Sequence, residues 1–92
     1  MILSMHVECL IYDVQSLKEK RAILQRIITR IKQRFNVAIC EMDYQELWQR
    51  TALSIVTVAS SKVVAEREMQ KVIHFIDSFP EIERTTTNYE WL

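Results

Sequence analysis

Residues 2–20 read ILSMHVECLIYDVQSLKEK, and a change of hydrophobic period inside this stretch decides the fold class. From Ile2 to Tyr12 apolar and polar residues alternate: Leu3, Met5, Val7, Cys9 and Ile11 fall on one side of a period-two strand, with Ser4, His6 and Glu8 on the other. A strand of this kind turns one face to a core. The alternation stops at Asp13, and Ser16-Leu17-Lys18-Glu19 then has the form of a capping box, a hydroxyl and a carboxylate placed to satisfy the first free N–H groups of a helix. Leu17, Leu24, Ile27, Ile28, Ile31 and Phe35 follow at roughly 100° per residue, so the helix buries a single stripe.

Beyond Phe35 the strand pattern returns in Val37 to Met42. A polar connection from Asp43 to Arg50 leads to a third strand, Thr51 to Ala59. Residues 60–79, SSKVVAEREMQKVIHFIDSF, offer a cap at Ser60 or Ser61 and a stripe of Ala65, Met69, Val72, Ile73 and Ile76, which marks a second helix ending before Pro80. Ile82 to Trp91 is a Thr-rich final strand. The order βαββαβ, with each helix apolar on one side, predicts a single α+β domain over residues 1–92. It is a ferredoxin-like two-layer sandwich whose four-stranded antiparallel sheet has the order 4-1-3-2, with both helices on one face. In that order the third strand holds Cys9 and Cys40 about 9–10 Å apart, too far for a disulfide. Both are expected to be buried free thiols, and neither lies at metal-ligand spacing from another Cys or a His.

Composition narrows the function classes. With 49% hydrophobic and 26% charged residues the chain has the means to bury a core, unlike a disordered one. It opens on no basic n-region and contains no apolar run near ~18 residues, so neither a signal peptide nor a membrane span is expected, and the cytoplasm is the expected location. Glycine is absent altogether, which removes phosphate-cradling loops and dinucleotide fingerprints; no cofactor is expected.

A net charge of zero conceals an uneven distribution. Leu17 to Phe35 carries Lys18, Lys20, Arg21, Arg26, Arg30, Lys32 and Arg34 against Glu19 alone, a charge of +6 that leaves −6 for the rest. Arg26, Arg30 and Arg34 recur at i, i+4, so they form one mutually repelling row. Two readings fit. The seven cations can be phosphate contacts for RNA, or they can be a solvated flank neutralised by acids such as Asp43, Glu46 or Glu81. RNA-recognition-motif domains share this element order but stack bases on aromatic residues of the central strands. Here those strands offer Ser4, His6 and Glu8, and the aromatic-free TALSIVTVA, so the first helix is the expected contact.

The connection Asp43-Tyr44-Gln45-Glu46-Leu47-Trp48-Gln49-Arg50 mixes aromatics, carboxylates, amides and an Arg, as interfaces do. Asp43, Gln45, Trp48, Gln49 and Arg50 are its candidate interaction residues; alternatively Leu47 and Trp48 plug the end of the core. SLKEKR, RFNVAICEMD and QELWQR together resemble the YlxP-like family of small bacterial proteins, a domain of unknown function (503), over nearly the whole chain. Ser16, Leu17, Lys18, Lys20 and Arg21 match its first motif; Asp43, Gln45, Leu47, Trp48, Gln49 and Arg50 match its second. The resemblance implies a ferredoxin-like fold and no established activity. It also implies a link to translation, since members are often encoded among translation genes. Tyr44 stands where many relatives have His, which speaks against an acid–base role there.

No catalytic set is expected. His6 and Glu8 share a strand face without a nucleophile, oxyanion donor or metal beside them; His74 is a helix-flank residue; and Glu41, Asp43 and Glu46 alternate across strand and loop. The expectation is a non-enzymatic protein with no metal or small-molecule substrate, associated with RNA or a ribosomal particle through the first helix. The alternative is a homodimeric protein–protein adaptor using the Trp48 loop and the open sheet face, whose third strand carries no charge.

Overall fold

The computed structural model describes residues 1–92. Six elements follow one another: β1 (Ile2–Ile11), α1 (Leu17–Arg34), β2 (Ala38–Asp43), β3 (Arg50–Val58), α2 (Lys62–Asp77) and β4 (Ile82–Trp91). All strand pairs are antiparallel. The sheet runs β2-β3-β1-β4, which is the adjacency 4-1-3-2 read from the other edge.

The period-two reading of β1 holds residue by residue. Leu3, Met5, Val7, Cys9 and Ile11 are buried, and they pack in one cluster with Leu24, Ile27 and Ile31 of α1 and Ala65, Met69, Val72, Ile73 and Ile76 of α2. Both helices thus cover the same sheet face. Ser16 Oγ accepts from the Glu19 N–H at 3.1 Å, as its sequence position requires, but the Glu19 carboxylate reaches back to the N–H of Gln15 rather than that of Ser16. Ser61, not Ser60, caps α2. The expected ends of β2 and β3 shift by one residue, to Ala38–Asp43 and Arg50–Val58.

Cys9 and Cys40 lie on strands separated by β3, and both are free. Their environments differ. Cys9 is buried, which pushes its thiol up to about 11 by denying the thiolate solvent. Cys40 is exposed, contrary to the expectation from its apolar neighbours, because its parity places it across from Ser54 on the open sheet face while Ile39 takes the core side.

The end of α2 is fastened to β4 by Arg84, whose guanidinium donates to both carboxylate oxygens of Asp77 at 3.0 and 2.9 Å. This bond holds the Asp77 carboxyl below its usual value. A folded-state pKa lowered in this way stabilises the protein above the unfolded value of about 4, and the contribution is lost as pH falls through the folded value. Asp77→Asn is expected to remove that slope. Urea midpoints measured from pH 5 down to strongly acid conditions should fall less steeply in the variant, by about 0.2–1 kcal/mol for a pair this exposed.

Candidate functional site

The basic helix is not one uniform surface. Lys20 is completely buried: its Nζ donates to the Tyr44 carbonyl at 2.5 Å and lies 3.1 Å from Glu41 Oε2. Its assignment as a phosphate contact is therefore corrected, since no external anion reaches an enclosed ammonium. The cause is visible in the helix periodicity. Leu17, Lys20, Leu24, Ile27 and Ile31 are spaced as one core-facing stripe, and Lys20 sits within it.

The other cations divide into two sets. Arg21 faces Glu46 at 3.9 Å and Arg26 is ion-paired with Glu81, so two of the acids named from the sequence do neutralise this flank. Asp43 instead accepts from the Tyr44 N–H. Lys18, Arg30, Lys32 and Arg34 have no carboxylate partner. Arg30 lies over the Phe79 ring at 6.0 Å and Arg34 over Phe75 at 4.8 Å, and those rings are stacked edge-to-face on each other. The row Arg26, Arg30, Arg34 therefore meets Glu81, Phe79 and Phe75 in turn, seaming α1 to the end of α2 and the start of β4.

The β2–β3 connection is built around Lys20. Glu41 projects from β2 into the helix-facing layer, where its Oε2 also accepts from Thr51 Oγ1 at 2.6 Å. Three segments, α1, β2 and the first residues of β3, thus close on one buried ion pair. Tyr44 has φ 62°, a left-handed conformation that is strained in a tyrosine and persists only where its surroundings over-determine it. They do so from several sides. Lys20 holds the carbonyl and the Arg50 guanidinium lies 4.1 Å from the ring centroid, while the nearby Glu8 carboxylate favours the protonated phenol and raises it above its ordinary pKa. Arg50 in turn donates to Glu8 at 3.0 Å.

This anchored loop keeps its apolar residues outside. Leu47 is 48% and Trp48 47% exposed, so the reading in which they plug the core is corrected; Phe79 and Ile82, with α2, close the core instead. Leu10, Glu46, Leu47, Trp48, Gln49 and Arg50 line an open concavity of about 500 Å³. Asp43, Gln45, Gln49 and Arg50 are all exposed around it.

On the open sheet face, β3 presents Ser54, Val56 and Val58, with Ala52 on the same side but fully buried, while Leu53, Ile55 and Thr57 face the helices. The β1 side of that face is polar. His6 Nδ1 is 3.5 Å from Ser54 Oγ, and Glu8 is engaged by Arg50 rather than by His6. His74 is exposed on α2. Sequence reasoning missed Glu41 and Thr51 as members of the loop anchor. The available signal was parity: Glu41 shares the core-facing side of β2 with Ile39, a place where a carboxylate requires a cation.

The sheet order and helix layer define a βαββαβ protein of the α+β class, and two sequence motifs, around Lys20 and around Trp48, meet in one buried contact. Residues 2–89 match the family described as "Protein of unknown function (DUF503)", and the chain belongs to that family. It is 61% identical over 84 residues to the uncharacterized protein YlxP of Bacillus subtilis (strain 168), covering 91% of each chain. Among solved structures it is similar to the de novo designed protein Foldit4, with a TM-score of 0.62 at 14% identity over 100% of this chain and 99% of that one, a likeness of fold.

Proposed function

We propose that the chain is a non-enzymatic recognition module of ferredoxin-like arrangement, acting in the cytoplasm, whose β2–β3 loop binds a protein partner through Trp48. One observation carries the reading: a buried Lys–Glu pair and a strained Tyr44 fix a loop that holds Leu47 and Trp48 in solvent. Burying an ammonium is costly even when it is paired, and here the expense fixes a surface loop rather than filling the core. A rigid loop presenting an aromatic beside Arg50 loses little entropy on binding, as a recognition element should. The test is a photo-crosslinking residue at Gln49, with one at Gln33, exposed near the far end of α1, as control. A partner crosslinked at 49 and lost on Trp48→Ala supports the reading; equal capture from both positions, or capture indifferent to Trp48→Ala, overturns it.

A second reading, RNA or a ribosomal particle, is favoured by the four α1 cations without carboxylate partners, two of them spread on phenylalanine rings. Its clean test leaves the Arg row intact, because Arg26, Arg30 and Arg34 join α1 to the rest of the fold. Lys18→Glu with Lys32→Glu is expected to weaken binding to structured ribosomal RNA. In the unmodified protein the log affinity should fall against log salt with a slope of about −3 for four phosphate contacts. No binding at low salt, or binding indifferent to the double change, removes this reading.

A further inference from the structure

The two edges of the sheet are not alike. β2 is six residues long, is irregular between Glu41 and Asp43, and runs into the anchored loop, so it is blunted in the ways that edge strands usually are. β4 is ten residues long, contains neither Pro nor Lys, and is rich in Thr, Tyr and Trp, which favour strands. Only β1 pairs with it. The Leu92 N–H donates to the Ile2 carbonyl at 2.9 Å, and Ser4, His6 and Glu8 sit opposite Glu90, Asn88 and Thr86. By the alternation of an antiparallel ladder these β4 residues turn their N–H and C=O groups toward β1, whereas Thr87, Tyr89 and Trp91 turn theirs to the free edge. Tyr89 and Trp91 are also exposed, at 46% and 39%.

We propose that this edge pairs with β4 of a second copy of the chain, antiparallel about a two-fold axis at Tyr89, giving a continuous eight-stranded sheet. The register follows from the residues. With Tyr89 opposite itself, Thr87 lies opposite Trp91 of the second copy, so the three residues with free backbone groups pair among themselves and form about six ladder hydrogen bonds. On the helix side the facing pairs are Tyr with Tyr and Trp with Thr, both favourable across strands. On the open side Asn88 faces Glu90 of the second copy, and Glu90 faces its Asn88, an amide donor against a carboxylate on both sides of the axis. Neither side chain has a hydrogen-bond or ion-pair partner within its own chain. The irregularity opposite Glu8 and Cys9, at Thr85, ends the ladder at its far side. A concavity of about 290 Å³ between α2 and β4, lined by Leu3, Glu66, Gln70, Tyr89 and Trp91, adjoins the edge where the second copy brings its own aromatics.

The experiment uses the purified chain alone. Sedimentation should show a monomer–dimer equilibrium with a dissociation constant on the order of micromolar to tens of micromolar, as a small interface gives. Thr87→Pro removes an outward N–H that the monomer does not use together with the Oγ1 that accepts from Arg84 at 2.8 Å, so it should abolish the dimer, whereas Thr87→Val, which loses only the Arg84 bond, should keep it. A covalent measurement fixes the register. With Cys40→Ser removing the exposed native thiol, Tyr89→Cys is expected to oxidise to a linked dimer at least about tenfold faster than Gln33→Cys, at an exposed α1 position away from this edge, because paired Cα atoms in a ladder lie within disulfide reach. A chain that stays monomeric at millimolar concentration overturns the proposal. So does a dimer unaffected by Thr87→Pro, or Tyr89→Cys crosslinking no faster than Gln33→Cys, either of which would place the contact on another surface.

Discussion

Replacing Lys20 with methionine is expected to destabilise the domain by about 3–5 kcal/mol, the usual consequence of removing one partner of a buried ion pair. That is a large share of the roughly 5–15 kcal/mol available to a domain. Methionine keeps the length and flexibility of the side chain, so little packing is lost. What remains is Glu41 with Thr51 as its only hydrogen-bonding neighbour and the Tyr44 carbonyl with the Leu47 N–H as its one remaining donor. Glu41 retains some access to water, at 17% of its side chain, which places the expectation toward the lower end. Urea unfolding measures it as a drop in midpoint at unchanged slope. A second variant separates loop anchoring from general stability. Lys20→Met with Glu41→Leu removes both charges and should recover most of the loss, because an apolar pair replaces an ionic one at little cost. The Tyr44 carbonyl then keeps only the local Leu47 N–H and has lost its tie to α1, so amides of residues 43–50 should exchange with solvent faster than in the unmodified protein even when stability returns. If exchange there is unchanged, Lys20 does not hold the loop.

Trp48→Ala is the complementary case, in which binding changes and folding does not. A tryptophan at the centre of a contact commonly accounts for 2–4 kcal/mol, so affinity for a partner of the loop should fall about 30- to 1,000-fold. Because Trp48 is half exposed and outside the core cluster, stability should move by no more than about 0.5 kcal/mol. Leu47→Ala should weaken binding less, its side chain offering smaller area and no polar handle. A melting temperature that falls sharply with Trp48→Ala would mean that the indole supports the fold, and the loop would lose its claim as a recognition element.

The two variants interrogate opposite ends of one device. Lys20 and Trp48 are far apart in sequence, yet the carbonyl that Lys20 holds belongs to the loop that Trp48 crowns. This explains why the residues around both positions stand out together. It also explains why a basic residue in a basic helix need not be a phosphate ligand: side-chain charge was the same for Lys18 and Lys20, but helix phase sends one to solvent and the other into the core.

Local patterns carried the architecture. Alternation in Ile2–Ile11, the Ser16 cap, the stripes of both helices and the Thr-rich final strand are properties of neighbouring residues, and periods of 2 and 3.6 express them directly in the chain. The sheet order followed because two such units have few ways to bury their stripes together. The site was less legible. That Arg26 meets Glu81, that Arg34 spreads on Phe75, that Lys20 closes on Glu41 and Tyr44, and that Trp48 stays outside all depend on segments brought together over long separations. Sequence by itself determined which residues form strands and helices, how they layer, and that a strongly basic helix balances an acidic remainder. Only the tertiary structure decided which of those charges are neutralised, which one is buried, and which apolar side chains are left to solvent. Periodicity assigns a residue to a face, but the partner across that face comes from another part of the chain, and electrostatics and burial are set by that partner.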